Sequence, residues 1–227
     1  MNRRSGAPLR RPDPVRYETM AKPPSAKRPA SNSEDFVFLN FPYDSIFAAP
    51  FLACICGICA FGLIPRATLE LQGGTRRLDR IVSLIESCRY SIPDMSRVEL
   101  DTTPPPTPRF NMPFELGLSV LHASRNRKNH TWFLFESVNW RIQKSLSDLN
   151  GTDPYIHDGT VDGVFRELAK AFVRADRQPS AEQMQFLYNG LTLTMPRLLT
   201  EASATDPFHA RVFRDTVVFT TALAQTL

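Results

Sequence analysis

The chain has no glycine-rich phosphate loop, no histidine-centred triad motif, and no His or fourth ligand near Cys54-x-Cys56-x-x-Cys59, the one spacing that invites a metal. It holds only ten glycines, four cysteines and four histidines in 227 residues. Phosphoryl transfer of the P-loop kind, zinc chemistry and triad-type hydrolysis lose ground on those absences. A secreted disulfide framework is excluded as well: Cys54, Cys56 and Cys59 share one apolar run and Cys88 stands apart, so buried thiols in a reducing, cytoplasmic setting are expected. There is no apolar segment behind the N-terminal arginines, and Asp13, Glu18 and the local prolines do not suit a transit peptide, so no targeting leader is read.

What is abundant is proline, nineteen in all, clustered in residues 1–34 and 104–108 and otherwise at the edges of apolar runs. Residues 1–34 carry eight Lys/Arg and three acidic residues, whereas the remainder carries nineteen and twenty. The formal charge of +4 therefore belongs to a tail expected to be disordered, and the body is near neutral. A nucleic-acid grip by the folded body is disfavoured, because each phosphate contact needs a surface cation. The tail has two readings, a tether for acidic partners or a solvated leader.

Residues 46–64 are nineteen in a row without a charge, long enough for a membrane span. Pro50, Gly57 and Gly62 interrupt the run and a strand-like segment precedes it. A buried helix followed by a buried strand is the expectation, with no membrane contact.

From Asp35 onward short apolar runs alternate with helical patterns. Expected strands are Phe36–Leu39, Phe61–Pro65, Arg89–Pro93, Thr131–Phe135 and Pro154–His157. Expected helices cover 45–60, 75–86 (Thr75 as cap, Leu78, Ile81, Val82 and Ile85 inward), 114–124 (Leu116, Val120 and Leu121 inward), 140–149 and 161–174. Such alternation implies an α/β fold, a flavodoxin-like doubly wound parallel five-stranded sheet of order 2-1-3-4-5 over residues 35–175. Residues 176–227 would form a helical C-terminal extension, packed on the body or on a second subunit.

In that order the ligand crevice opens at the carboxyl ends of strands one and three. Asn40-Phe41-Pro42-Tyr43-Asp44 follows the first and Pro93-Asp94-Met95-Ser96-Arg97 the second; the next helix opens with Asn111-Met-Pro-Phe-Glu115. Three carboxylates with Tyr43, Ser96 and Asn111 suit a site that holds a sugar and steadies positive charge at its anomeric carbon. Plainer roles stand beside these. Glu115 suits a first-turn cap, Asp94 a turn, Asp44 a helix cap, and Arg66 either a pair with Glu70 or a phosphate contact. His122, His130, His157 and His209 are read as solvent-facing or capping.

The segments Tyr90-Ser-Ile-Pro-Asp94-Met-Ser96 and Asn111-Met-Pro-Phe-Glu115-Leu-Gly117 resemble the signature of the nucleoside 2-deoxyribosyltransferase and nucleotide N-glycosidase group, akin to Toll/interleukin-1 receptor (TIR) domains. Asn40–Asp44 takes the place of that group's first substrate loop. The resemblance implies Glu115 as the nucleophilic or oxocarbenium-stabilising group and Asp94 as the acid. It further implies Ser96 and Asn111 as phosphate or hydroxyl contacts, with Phe41, Tyr43, Asp44 and Arg66 around the substrate. No metal and no cofactor is implied. The partner would be a nucleoside, nucleotide or NAD-like molecule, with a homodimer in keeping with the group and a non-catalytic TIR-like nucleotide-binding or assembly module as the competing class. The insertion 102–108 and Phe110–Pro113 depart from the group's glycine-bearing approach to the helix.

Overall fold

A computed structural model describes residues 35–70, 76–174 and 176–227. The expectations for the tail 1–34 and for Thr75 as a helix cap lie outside the described residues.

Strand β1 (Phe36–Asn40) is parallel to β2 (Ile64–Ala67) on one side and to β3 (Tyr90–Pro93) on the other, and β3 pairs in parallel with β4 (Thr131–Trp132). The sheet is thus four-stranded, order β2-β1-β3-β4. This corrects the expectation of five strands. The run Thr131–Phe135 is not one strand: it breaks at Phe133 and Leu134, and β5 (Phe135–Glu136) forms a separate two-stranded parallel ribbon with β6 (Tyr155–Ile156). An isolated bridge between Asp94 and Phe135 joins ribbon to sheet.

Alternation along β1 decides which helices cover which face. Val37 and Leu39 point into a core shared with α1 (Ala48–Ala60), α5 (Val161–Ala171), α6 (Ala181–Ala202) and α7 (Ala210–Ala224). Phe38 points the other way, onto Ile81, Leu84 and Ile85 of α2 (Arg77–Glu86). A third cluster, Met95, Met112, Leu116, Leu134 and Ile142, joins α3 (Asn111–Arg125) to the short α4 (Arg141–Ser145). Period-two strands between helices of opposite faces are the signature of a wound parallel sheet.

Helix α1 is buried without a break from Pro50 to Ala60, which explains its lack of charge; at thirteen residues it is a core helix. Among the described residues no helix is long and apolar enough to cross a membrane. Gly62, at φ +76°, closes α1, while the Leu63 N–H returns to the Ile58 carbonyl. That closing turn occupies 61–63, so β2 begins three residues later than its apolar run suggests. Pro65 is accommodated because β2 is an edge strand.

Helices α6 and α7 are not appendages. Leu187, Leu191, Val212 and Phe213 belong to the same core as Val37 and Leu39. A capping box of Ser180 and Gln183 starts α6, and His209 accepts the Arg211 N–H to cap α7. Two expected faces shift: Leu78 and Leu121 are exposed and Val82 only half-buried, with Leu84 and Ser119 buried instead.

Three glycine-to-alanine substitutions test this packing in order. Gly117, on α3, has open space around a new Cβ, so Gly117→Ala is expected to stabilise by about 0.5–1 kcal/mol. At Gly57 the Cβ meets the movable Leu168 side chain, and a loss of about 1–3 kcal/mol is expected. At Gly163 it meets the fixed His157 carbonyl, so Gly163→Ala should be the most damaging. Urea denaturation of the three variants measures the ranking, and a stable Gly163→Ala would contradict the docking of α5 against the end of β6.

Candidate functional site

The carboxyl ends of β1 and β3 lie side by side, Asn40 opposite Pro93, and the Asp94 N–H donates to the Asn40 carbonyl at 2.9 Å. The Asn40 side chain, 3% exposed, donates through Nδ2 to the Met112 carbonyl at 2.9 Å and so fixes the start of α3 over this edge. Asn40 escaped the sequence reading because an amide that ends an apolar strand has no signature of its own.

Helix α3 begins at Asn111, three residues before the expected start, with Pro113 in its first turn. Glu115 therefore stands in the second turn and not at a capping position. It faces inward with Met112, Leu116 and Ser119, and only 4% of it is exposed. Among the described residues no donor bonds its carboxylate. Burial pushes its pKa up from 4.5 to about 7, against an opposing pull from the Arg77 guanidinium. Arg77 and Glu115 both act on the Tyr43 phenol as well, so these three side chains form one electrostatic neighbourhood.

Tyr43 is held from two directions. Its hydroxyl and the Thr68 Oγ1 are 2.8 Å apart, and its ring packs on Phe51 and on Phe208, centroids 6.0 and 5.6 Å away. Burial raises its pKa well above the ordinary phenol value. Phe208 belongs to the connection between α6 and α7, so the C-terminal segment reaches Tyr43.

Asp94 is placed otherwise than a free acid requires. It is fully buried: Oδ1 accepts the Ser96 N–H at 2.8 Å, and Oδ2 is 2.9 Å from the His157 Nε2. Since His157 Nδ1 accepts the Gly159 N–H at 3.2 Å, the proton sits on Nε2, which donates to Asp94 and stands 3.1 Å from the Ser96 Oγ. A Ser-His-Asp relay needs hydroxyl and acid on opposite ring nitrogens. Here both crowd one nitrogen, in a fully buried knot that ties β3 to β6. Beside it, buried Glu136 accepts from Arg141, which also donates to the Ser96 carbonyl at 2.8 Å.

Parity places Asp94 with Tyr90 and Ile92 on the α1/α5 face, where its charge acts on Cys54. Glu115 comes from α3 on the opposite face, and the charge acting on it is Arg77, not Asp94. The three expected carboxylates thus have separate surroundings. Asp44 Oδ2 accepts from Arg97 Nε at 3.2 Å and makes no side-chain capping bond. Arg66 is taken by Glu70, 2.8 and 3.0 Å from its Nε, and lies over the Phe36 ring. Phe41 is a core residue packed on Phe51, 2% exposed, whereas Asn111 is exposed at the start of α3.

The histidines correct the sequence reading in two places. His157 and His130 are buried; His130 stands between Ser91 Oγ at 3.0 Å and the Cys88 carbonyl at 2.8 Å. All four cysteines are free and buried, and burial raises their pKa values. Among the described residues no group of three or more His, Cys, Asp or Glu side chains could hold a metal ion. Cavities of about 390 and 610 Å3 lie away from Glu115, between α2 and α3 and between α5 and α6. A third, of about 270 Å3, opens beside the start of α3.

No protein-family model, no curated protein and no solved structure matches the chain.

The raised pKa of Glu115 carries a stability signature. Its neutral form is the one the fold favours, so the stability it confers is full below about pH 4.5 and is lost as pH rises through 7. Glu115→Gln keeps the neutral shape at every pH. It should exceed the wild type by roughly 2–3 kcal/mol at pH 8, with the gap closing toward pH 4.5. Paired denaturation curves from pH 4.5 to 8 measure this; a gap independent of pH would contradict it. Asp94→Ala, which strands His157 and the Ser96 N–H, should cost about 3–5 kcal/mol by the same method.

Proposed function

We infer that the chain is an N-glycosidase or glycosyltransferase that cleaves the bond between base and sugar in a nucleoside, nucleotide or NAD-like substrate. The observation that carries the reading is Glu115: a buried carboxyl without a hydrogen-bond donor among the described residues, at the carboxyl edge of β1 and β3, with a pKa near neutrality. Unpaired buried acids are costly, and their pKa values cluster where acid and base chemistry is done. The resemblance of Asn111–Gly117 to the deoxyribosyltransferase and N-glycosidase group points to the same residue. A flavodoxin-like arrangement, with the β5–β6 ribbon extending the sheet, suits the reading.

In the proposed reaction the bond between the anomeric carbon and the base nitrogen breaks. Its electron pair leaves with the base, which takes up a proton. The ionised form of Glu115 stabilises the oxocarbenium ion or bonds its carbon; water or a second acceptor then completes hydrolysis or transfer. With a pKa of about 7, Glu115 enters the step protonated, gives its proton to the departing base and is thereby the carboxylate that meets the oxocarbenium ion. Tyr43 and Arg77 share its electrostatic neighbourhood, and Asn111 is exposed one turn ahead of it on α3. Asp94 and Ser96 act as scaffold, because both are consumed by the His157 knot. The enzyme works in the cytoplasm, where its four thiols stay reduced. A homodimer is compatible with this reading.

One observation favours the second reading, a non-catalytic TIR-like module for nucleotide binding or assembly. Asp94, Asp44 and Arg66 are all engaged internally, which leaves one free carboxyl where the resemblance implies a group.

Incubation with a panel of nucleosides, nucleotides and NAD, followed by chromatography for free base, separates the two. The enzyme reading expects release by the wild type and its loss in Glu115→Gln, whose melting temperature is unchanged or raised. Retained release in that variant would remove the assignment of Glu115; no release from any compound by the wild type would favour the module.

A further inference from the structure

Helix α6 has two unlike sides. Met184, Leu187, Leu191, Met195 and Leu198 are buried, and Glu182, Phe186, Asn189, Leu193 and Arg197 recur every three or four residues along the opposite side, all exposed. The outer stripe of a surface helix ordinarily carries polar groups; this one holds Phe186 at 51% and Leu193 at 84% exposure, two turns apart. Beside Phe186 opens the cavity of about 610 Å3 between α5 and α6, with Phe165, Ala169 and Met184 in its wall. A protruding leucine and an apolar hollow thus share one face of the molecule.

The stripe is complementary to itself when read backwards. Phe186 and Leu193 stand equally far from the midpoint between Asn189 and Gly190, and so do Glu182 and Arg197. Two α6 helices laid antiparallel across a two-fold axis at that midpoint therefore bring Phe186 of each copy against Leu193 of the other. The same register sets Glu182 of each against Arg197 of the other. With a rise of about 1.5 Å per residue, the apolar pairs lie about 10 Å apart at the centre and the ion pairs close the two ends, about 22 Å apart. A parallel arrangement would instead place Glu182 on Glu182 and Arg197 on Arg197, like charge on like. Near the axis stands Asn189, uncharged and bonded to Gln185 at 2.8 Å, so no charge on the stripe meets its own copy there. Each charge has a plainer role within its own chain. Glu182 suits the first turn of α6, and Arg197 lies 3.7 Å from Glu201, with both side chains more than half exposed. Pairs of that kind are weak and leave Arg197 available to a partner.

We propose that this stripe is the docking surface for a second copy of the chain, the two α6 helices antiparallel about a two-fold axis between Asn189 and Gly190. Leu193 of each copy seats against Phe186 beside the other's cavity, and a pair of Glu182 with Arg197 closes each end. Charge complementarity commits the surface to this occupant. No charged residue stands between Glu182 and Arg197 in the sequence, and an antiparallel copy supplies the opposite sign at both places. The interface goes beyond the glycosidase reading, because neither charge acts on Glu115.

Sedimentation equilibrium of the full chain across a concentration series tests the interface. The wild type should follow a monomer–dimer equilibrium. Leu193→Glu, at an exposed position, should weaken the dimer at least about tenfold with the circular dichroism spectrum unchanged. Glu182→Arg and Arg197→Glu should each weaken it about five- to tenfold, because the two-fold axis repeats the altered contact. Combining the two reversals restores opposite charges across the axis and should bring the affinity back to within about threefold of the wild type. The proposal is overturned if the wild type stays monomeric at every concentration, if Leu193→Glu dimerises as tightly, or if the double reversal is no tighter than either single one. Assembly that continues past the dimer would overturn it too, since a contact of this symmetry closes at two copies. Failure here leaves the assignment of Glu115 untouched.

Discussion

A carboxyl only 4% exposed and without a donor among the described residues is an expensive thing to fold around, and Glu115 is such a group. An ordinary buried acid is matched with an arginine or with backbone N–H groups, as Glu136 is with Arg141, Ser137 and Val138 in the same molecule. Among the described residues Glu115 receives only the pull of Arg77. The fold could satisfy this carboxyl, since it satisfies its neighbours. That it leaves this one unmatched among the described residues, at the strand edge where wound sheets bind ligands, is the constraint on which the functional reading depends.

The surrounding structure holds Glu115 in place without touching its charge. Asn40 ties the end of β1 to the Met112 carbonyl, one helical turn ahead of the acid. The knot of Asp94, His157 and Ser96 fixes the end of β3 to that of β6, and Arg141 adds the Ser96 carbonyl to it. On the far side the aromatic stack of Phe51, Tyr43 and Phe208 brings the C-terminal helices against the first strand's loop. Buried polar contacts of this kind cost little when fully satisfied and make the local geometry unique. The divided labour explains why two aspartates at one sheet edge have lost the freedom that the glutamate keeps.

Much of the architecture could be read from the residues. Parallel strands leave apolar runs bounded by turns, and Phe36–Leu39 and Arg89–Pro93 lie within a residue of β1 and β3. The run Thr131–Phe135 has the composition of one strand, yet its register breaks at Phe133 and Leu134, a tertiary event with no local signature. At the site, the side-by-side ends of β1 and β3 were legible from topology, whereas Glu115 drew notice through the resemblance. The orientation of Asp94 was not. It depends on a histidine 63 positions away, which local sequence reads as a surface residue. The parity that sets Asp94 and Glu115 on opposite faces becomes visible only when helices are assigned to faces. Pairing of Arg66 with Glu70 was among the open alternatives, because four residues' spacing brings such groups together.

The most direct test of the account is the protonation of Glu115 itself. In a sample carrying 13C-labelled glutamate, the carboxyl signal absent from Glu115→Gln identifies the residue, and its shift against pH gives the midpoint. A midpoint near 7 is the result the account predicts. A midpoint near 4.5, the value of a carboxyl in water or one fully matched by donors, would contradict it.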